Sequence, residues 1–256
     1  RLARKRIAVG VGSRGISSIN VIVRTVLDFF KAQAALPFIV PAMGSHGGAT
    51  PEGQTKVLAH YGITEESMGV PIRCEMESCV AATSANGVNV YCAVPAWEAD
   101  GIFPVNRIKP HTDMKGEIES GICKMLAIGF GKLRGAEEYH GHIPGIGLEA
   151  AIVAAASELL KSGKIIGGLA IIENAYHETA SLRALAPDGL IEQEKELLLQ
   201  AKRLMPRLPL PEIDLLYIQR IGKNISGTGL DPNIIGRSPY GCYPGVPWQD
   251  YLPSIF

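Results

Sequence analysis

The first sixty residues repeat one plan twice, and that repetition restricts the folds open to the chain more than any other feature. RIAVGVG (6–12) is a β-rich apolar run. It is followed by the loop SRGIS and by INVIVRTVLDFFKAQAA, in which Ile19, Ile22, Val23, Val26, Leu27 and Phe30 recur at helical spacing. LPFIVPAMGSHGGATPEGQTKVLAHYG repeats the order: a strand at 37–42, a glycine-rich loop, and a helix whose first turn holds Thr50, Pro51 and Glu52. Two successive strand–loop–helix units predict a parallel sheet whose strand-end loops form the working edge. Arg14 and His46 lie in those loops.

Downstream, 70–106 read as short strands (IRCEM, VNVYCAV, GIFPV) whose cysteines serve packing. GIFPVNRIKP delivers His111 at its end. A helix from about Leu148 to Leu160, a strand IIGGLAII, a polar segment ENAYHETASLRALAPDG and a charged helix IEQEKELLLQAKRLMP follow. PRLPLPE (206–212) is a linker, and IDLLYIQRIG beyond it reads as the first strand of a further domain. The predicted class is α/β: a parallel-sheet domain over 1–208, then the start of a smaller α/β domain over 209–256. The abrupt ends read as those of a fragment.

Composition narrows the partners. Twenty-five basic residues against 25 acidic ones leave no net field to draw nucleic acid or an anionic membrane, which favours a small-molecule ligand. The five cysteines, Cys74, Cys79, Cys92, Cys123 and Cys242, form no CxxC pair, so neither a disulfide framework nor a zinc ribbon is indicated and a reducing cytoplasm is expected. No apolar run reaches the roughly 18 residues of a membrane span. RLARKRIAVGVG is a basic stretch entering a strand rather than a leader.

The first loop satisfies the bare G-x-G-x-x-G spacing at Gly10, Gly12 and Gly15, but no acid stands after the next strand to bind a ribose, which argues against a standard dinucleotide site. A phosphate held by the loop, Gly12 and Ser13 included, and by the following helix N-terminus remains open. Arg14, among glycines that expose backbone N–H groups, favours an anion there. His46 sits in an open loop between small residues, where a general acid/base is better placed than on a helix face. His60, at a helix C-terminus, is explained by the dipole and by capping.

Residues 107–142 gather His111, His140 and His142, Cys123 and six lysines and arginines. At the centre, SGICKMLAIGFGK surrounds Lys124 with small and apolar neighbours, where desolvation lowers an amine's basicity and leaves part of it nucleophilic. A lysine snorkelling from a short core helix is the plain alternative. Sixteen residues of continuous helix would hold Lys124 and His140 about 24 Å apart. Glycines at 129, 131 and 135 let the chain break and return. HGH makes His142 a possible second metal donor.

GSHGGATPEG, the KPH of 109–111, SGICKML, EEYH and the LDPN of 230–233, in this order, resemble the nickel-pincer-nucleotide lactate racemase family, from about residue 6 to 233. The resemblance implies a racemase or epimerase of a 2-hydroxy acid, lactate-like or a sugar acid, working by reversible hydride transfer. Its cofactor would be nickel pyridinium-3-thioamide-5-thiocarboxylic acid mononucleotide, made by dedicated cofactor-synthesis proteins. Carried over, Lys124 is similar to the lysine that forms the thioamide and His140 to the nickel ligand. His46 and His111 match the two acid/base histidines, and Arg14 an arginine near the substrate carboxylate. Asp231 and Asn233 fall in the motif opening the family's second domain. Lys223 or Arg237 would complete the carboxylate site. Two departures stand out: Val11 replaces an acid three positions before Arg14, and the interval from His111 to Lys124 is longer by about three residues. Two rival readings remain, a non-catalytic nucleotide- or metal-binding protein of the same fold and a Schiff-base lysine enzyme.

Overall fold

A computed structural model describes residues 2–84, 87–112, 114–210, 213–222 and 229–235, and for 140–146 the backbone alone. Its centre is a five-stranded sheet in the order β2-β1-β5-β6-β7. β1 (Arg6–Val11), β2 (Leu36–Pro41), β5 (Gly101–Arg107) and β6 (Gly168–Glu173) are parallel, and β7 (Thr179–Leu185) closes the sheet antiparallel to β6. A second sheet is the hairpin β3 (Ser78–Thr83) and β4 (Asn89–Ala93). The chain runs from β1 outward to β2, then returns to the other side of β1 with β5. The strand order therefore reverses between β1 and β5, the place where open α/β sheets form a ligand crevice at the carboxyl ends of their strands.

Both faces of the sheet are covered, so its strands read as continuous apolar runs. Ile7, Val9 and Val11 of β1 face a core built with α1 (Ile19–Ala32) and α2 (Pro51–His60), joined by Met68 of the short α3 (Glu65–Met68). Ala8 faces the opposite core, shared with α5 (Ile122–Lys124), α7 (Leu148–Lys161) and α8 (Leu190–Leu204). α4 (Val94–Trp97) links the hairpin to β5, and α6 (Lys132–Ile146) packs on β4 and α7. α9 (Pro232–Ile235) ends the described chain. Thr50 caps α2 by accepting the Gly53 amide at 3.0 Å, with Pro51 in the first turn.

Three expectations change. TASLRAL, expected as part of a polar segment, is β7; as an edge strand it is largely exposed, with Leu185 its one buried residue. IRCEM forms only a single bridge, Ile39 to Ile72. IDLLYIQRIG is not a strand, because no described segment pairs with it and Leu215 and Tyr217 are each 87% exposed. Among the described residues no helix is long and apolar enough to cross a membrane.

Candidate functional site

The carboxyl ends of β1, β2 and β5 carry the loops with Arg14, His46 and His111. The first two loops are tied by a hydrogen bond between Ser13 Oγ and His46 Nδ1, whose direction depends on the imidazole tautomer. The Tyr61 hydroxyl donates to the Ser13 carbonyl at 2.9 Å. Both His46 and Arg14 are exposed. The first loop's glycines have a packing reason: a Cβ on Gly10 would lie 2.2 Å from Phe130 Cζ, and one on Gly12 3.3 Å from Met125 Cε. The segment bearing Lys124 thus lies directly against β1, which accounts for Gly10 and Gly12 without a dinucleotide, whereas a Cβ on Gly15 would meet only Tyr61 at 3.6 Å. The amide of Ser17, which an anion at the first loop would use, already donates to Glu173 Oε1 at 2.7 Å. The other oxygen of Glu173 pairs with Arg107.

His111 begins a loop that closes on itself. Lys109 and Ser120 form an antiparallel bridge, with Lys109 N donating to Ser120 O at 2.9 Å and the reverse bond at 3.2 Å. Residues 110–119 are therefore looped out between them. Glu119, fully buried, accepts the His111 amide at 2.6 Å and pairs with Lys202 of α8 at 2.7 Å. Glu149 of α7 accepts the amides of Glu117 and Ile118 at 2.6 and 2.9 Å. The His111 carbonyl accepts from Lys115 Nζ at 3.0 Å and Asn233 Nδ2 at 3.1 Å, and Lys115 also bonds Asn233 Oδ1. Asp231 holds the Asn233 side chain at 2.8 Å. This places the LDPN motif against the His111 loop.

Met114 N donates to His111 Nδ1 at 2.9 Å, so the neutral ring carries its proton on Nε2. Burial, then the charges of Lys124, Lys115, Lys109 and Arg14, push His111 down to about 3 from 6.5. Burial and the neighbouring Arg107 likewise lower Lys109, with Arg14 adding to this and Asp231 and Glu173 opposing it. The mutual influence of these groups brings Arg14, Lys109, His111, Lys115 and Lys124 into one cationic region. Lys124 is half-buried, between the buried Cys123 and Met125, at the end of α5; a π-helical turn, Met125–Gly129, continues from it. The chain breaks just beyond, where Lys132 takes a φ of 56°, and Gly135 lies inside α6 rather than at the break. His140 and His142 fall in α6, and their side chains lie outside the described residues, as do Lys223, Arg237 and Cys242. Val11 is buried at the end of β1, 1% exposed, and faces the core rather than the crevice.

Behind the His46 loop are two buried polar side chains that the sequence reading did not single out. Lys132 is fully enclosed and donates to the Pro41 carbonyl and to Gln54 Oε1, both at 2.8 Å. Gln54, equally enclosed, passes this on through Nε2 to the carbonyls of Gly44 at 2.9 Å and His46 at 3.3 Å. Burial pushes the Lys132 amine down to about 8. The signal available was a lysine inside the apolar, glycine-rich GFGKL.

No protein-family model matches the chain, and no curated protein matches it by sequence. Solved structures do share its fold. The lactate racemase apoprotein from Thermoanaerobacterium thermosaccharolyticum aligns with a TM-score of 0.56 at 15% identity, covering 76% of this chain and 49% of that one. A structural-genomics protein from Thermotoga maritima aligns with a TM-score of 0.60 at 15% identity, covering 87% of this chain and 60% of that one. The chain thus spans about half to three-fifths of the length of these structures. The mixed α/β fold is that of the lactate racemase apoprotein.

Proposed function

We propose that this chain racemises or epimerises a 2-hydroxy acid, with a nickel-pincer nucleotide joined to Lys124 as its cofactor. What supports the reading is that Lys124 and Arg14 lie near enough to His111 to act on its charge, and that His46 is bonded to Ser13 on the loop after β1, beside the reversal point of the sheet. The cationic surroundings fit such a group, because a mononucleotide phosphate and a substrate carboxylate both need positive partners. Among the described residues no three His, Cys, Asp or Glu side chains gather into a metal site. A nickel ion here would take His140 as protein ligand and its remaining donors from the pincer itself.

When bound, the nucleotide supplies the acceptor and donor of hydride at the substrate's α-carbon. The chain's own residues do the rest. Arg14 binds the carboxylate, with Gly12, Ser13, Asp231 and Asn233 shaping the cofactor side of the crevice. His46, exposed and steadied through Nδ1 by Ser13, takes the hydroxyl proton of one enantiomer on Nε2. His111 offers its Nε2–H to the oxygen of the planar keto acid as a hydrogen bond only; to give that proton away it must first release Met114 N and take a proton on Nδ1, and to serve as base on Nε2 for the other enantiomer it must carry its single proton on Nδ1 instead. The two histidines are therefore unequal in the resting protein. The protein is expected to meet its cofactor-synthesis proteins in the cytoplasm.

The test is peptide mapping and metal analysis of protein produced together with the cofactor-synthesis proteins, alongside single-turnover assays with R and S forms of a panel of 2-hydroxy acids and aldonates. An adduct on Lys124, bound nickel, and opposite enantiomer preferences in His46→Ala and His111→Ala are expected. An unmodified Lys124 in active protein, or substrate trapped on it by borohydride, refutes the cofactor assignment.

A further inference from the structure

Glu194 lies on α8, away from the crevice, yet it is 1% exposed and faces no cation at salt-bridge distance among the described residues. Its Oε2 accepts the Cys123 amide at 2.9 Å, and the Ile122 amide bonds to the same carboxyl group. Its Oε1 is buried without a hydrogen-bond partner and lies where a Cβ on residue 121 would come within 2.0 Å, so only glycine fits there. These amides open the helical turn that carries Lys124, and that turn has no capping side chain of its own. A buried carboxyl with one oxygen unpaired costs stability and is retained where it orders something.

We propose that Glu194 is the positioning residue for Lys124: its carboxyl group holds the first amides of the turn and thereby fixes where the amine is presented to the crevice. This rests on the reading of Lys124 as the attachment residue. The same helix also reaches the other side of the site. Lys202, eight residues on and about 12 Å along α8, grips Glu119, which holds the His111 amide. The spacing of His111 and Lys124 is thus referred to one rigid helix.

The hold depends on ionisation. Burial, against the bonds from Cys123 and Ile122, pushes Glu194 up to about 7. The Cys123 thiol also bonds to this carboxyl group, so protonation leaves two donors facing each other with only the weak acceptor sulfur between them, and it weakens the carboxyl group's pull on two amides. The titratable groups around it are few. From α5 there is the Cys123 thiol, itself pushed up by burial and by Glu194. On α8 the next residue is Lys195, paired with Glu117 and Glu192 on the outside. Glu149 of α7 is committed to the amides of Glu117 and Ile118, and Glu173 of β6 to Arg107.

The experiment is hydrogen exchange of the peptide spanning 120–126, with amine-selective labelling of Lys124 against Lys56 as an exposed reference, in the parent, Glu194→Gln and Glu194→Leu between pH 5.5 and 8.5. In the parent, protection of the Cys123 amide, corrected for intrinsic exchange, should fall about tenfold from pH 8 to pH 6. Glu194→Gln keeps an acceptor oxygen, so it should hold intermediate protection with no step. Glu194→Leu should lose protection and change Lys124 labelling several-fold at unchanged Lys56 labelling. A pH step that persists in Glu194→Gln overturns the proposal even if the leucine variant does not fold. Parent-like protection and labelling in Glu194→Leu overturns it as well. The measurements need no cofactor, so a Lys124 that never carries an adduct would refute the functional reading alone.

Discussion

Replacing Lys132 by methionine should change the pH dependence of stability more than its value at neutrality. The ammonium is fully enclosed, and its descent from 10.5 to about 8 corresponds to a cost of about 3 kcal/mol for keeping it charged inside the protein. Methionine removes that cost but strips the donors from the Pro41 carbonyl and Gln54 Oε1, at roughly 1–3 kcal/mol each. At pH 7 the two effects largely offset each other, and the variant should be no more than about 3 kcal/mol less stable. Because the native amine gives up its proton near 8 and the unfolded one near 10.5, the unfolded chain binds more protons between those values, and the parent's stability rises with pH there. From pH 7 to 9.5 the gap between parent and variant should widen by about 2 kcal/mol. Urea unfolding followed by circular dichroism at both pH values gives the difference, in which the other lysines cancel; Cys74, which Lys132 acts on, is replaced by serine in both proteins. A gap that stays constant would show that Lys132 is not a buried cation, and the brace behind His46 would have to be explained otherwise.

Other outcomes follow from single contacts. Gly10→Ala places a methyl group into the Phe130 ring and should destabilise by roughly 1–3 kcal/mol, with Gly10→Ala/Phe130→Leu recovering part of the loss in the same unfolding assay. Lys202→Met leaves the buried Glu119 without its cation and should cost roughly 3 kcal/mol, more than the exposed-pair variant Lys5→Met, which should cost under about 1 kcal/mol. His111 should stay neutral in NMR titrations from pH 8 to 5. As pH falls below 6.5 toward 3 the unfolded ring takes a proton that the native ring refuses, so His111 should contribute to acid destabilisation, and a ring that titrates near 6.5 would contradict its enclosure.

The parallel sheet was legible because β1, α1, β2 and α2 each carry a local period and a local boundary: the apolar runs at 6–12 and 37–42, the helical spacing from Ile19, and Thr50 with Pro51. β7 was not, since an edge strand that mixes Ser181 and Arg183 with exposed Ala180 and Leu182 looks like a loop until β6 is beside it. As candidates, Arg14, His46, His111 and Lys124 were legible because reactive side chains among glycines and small residues stand out locally. What holds them was not, because it is made of distant pairs: Cys123 with Glu194 across 71 residues, and Lys132 with Gln54 across 78. One trace of the first pair does exist in the sequence. Leu190, Glu194, Leu197, Leu198 and Ala201 share the buried face of α8, and a glutamate within an apolar stripe asks for a partner inside.

The departure in loop length between His111 and Lys124 bears on how such a site tolerates change. If the chain between the two residues set their separation, added residues would displace one from the other by several ångströms, about 3.3 Å for each extended residue. Here most of the intervening chain is looped out between the paired Lys109 and Ser120, with its ends tied to α8, one through Glu119 to Lys202 and the other, just past the bridge, by Glu194. Both anchors belong to α8, whose apolar face is packed on the core, so separation is set by helical rise and not by loop contour. Length can then vary within 112–118 while the histidine and the lysine keep their relation. The residues that fix the spacing of His111 and Lys124, Glu119 and Glu194, are themselves buried one layer beneath them.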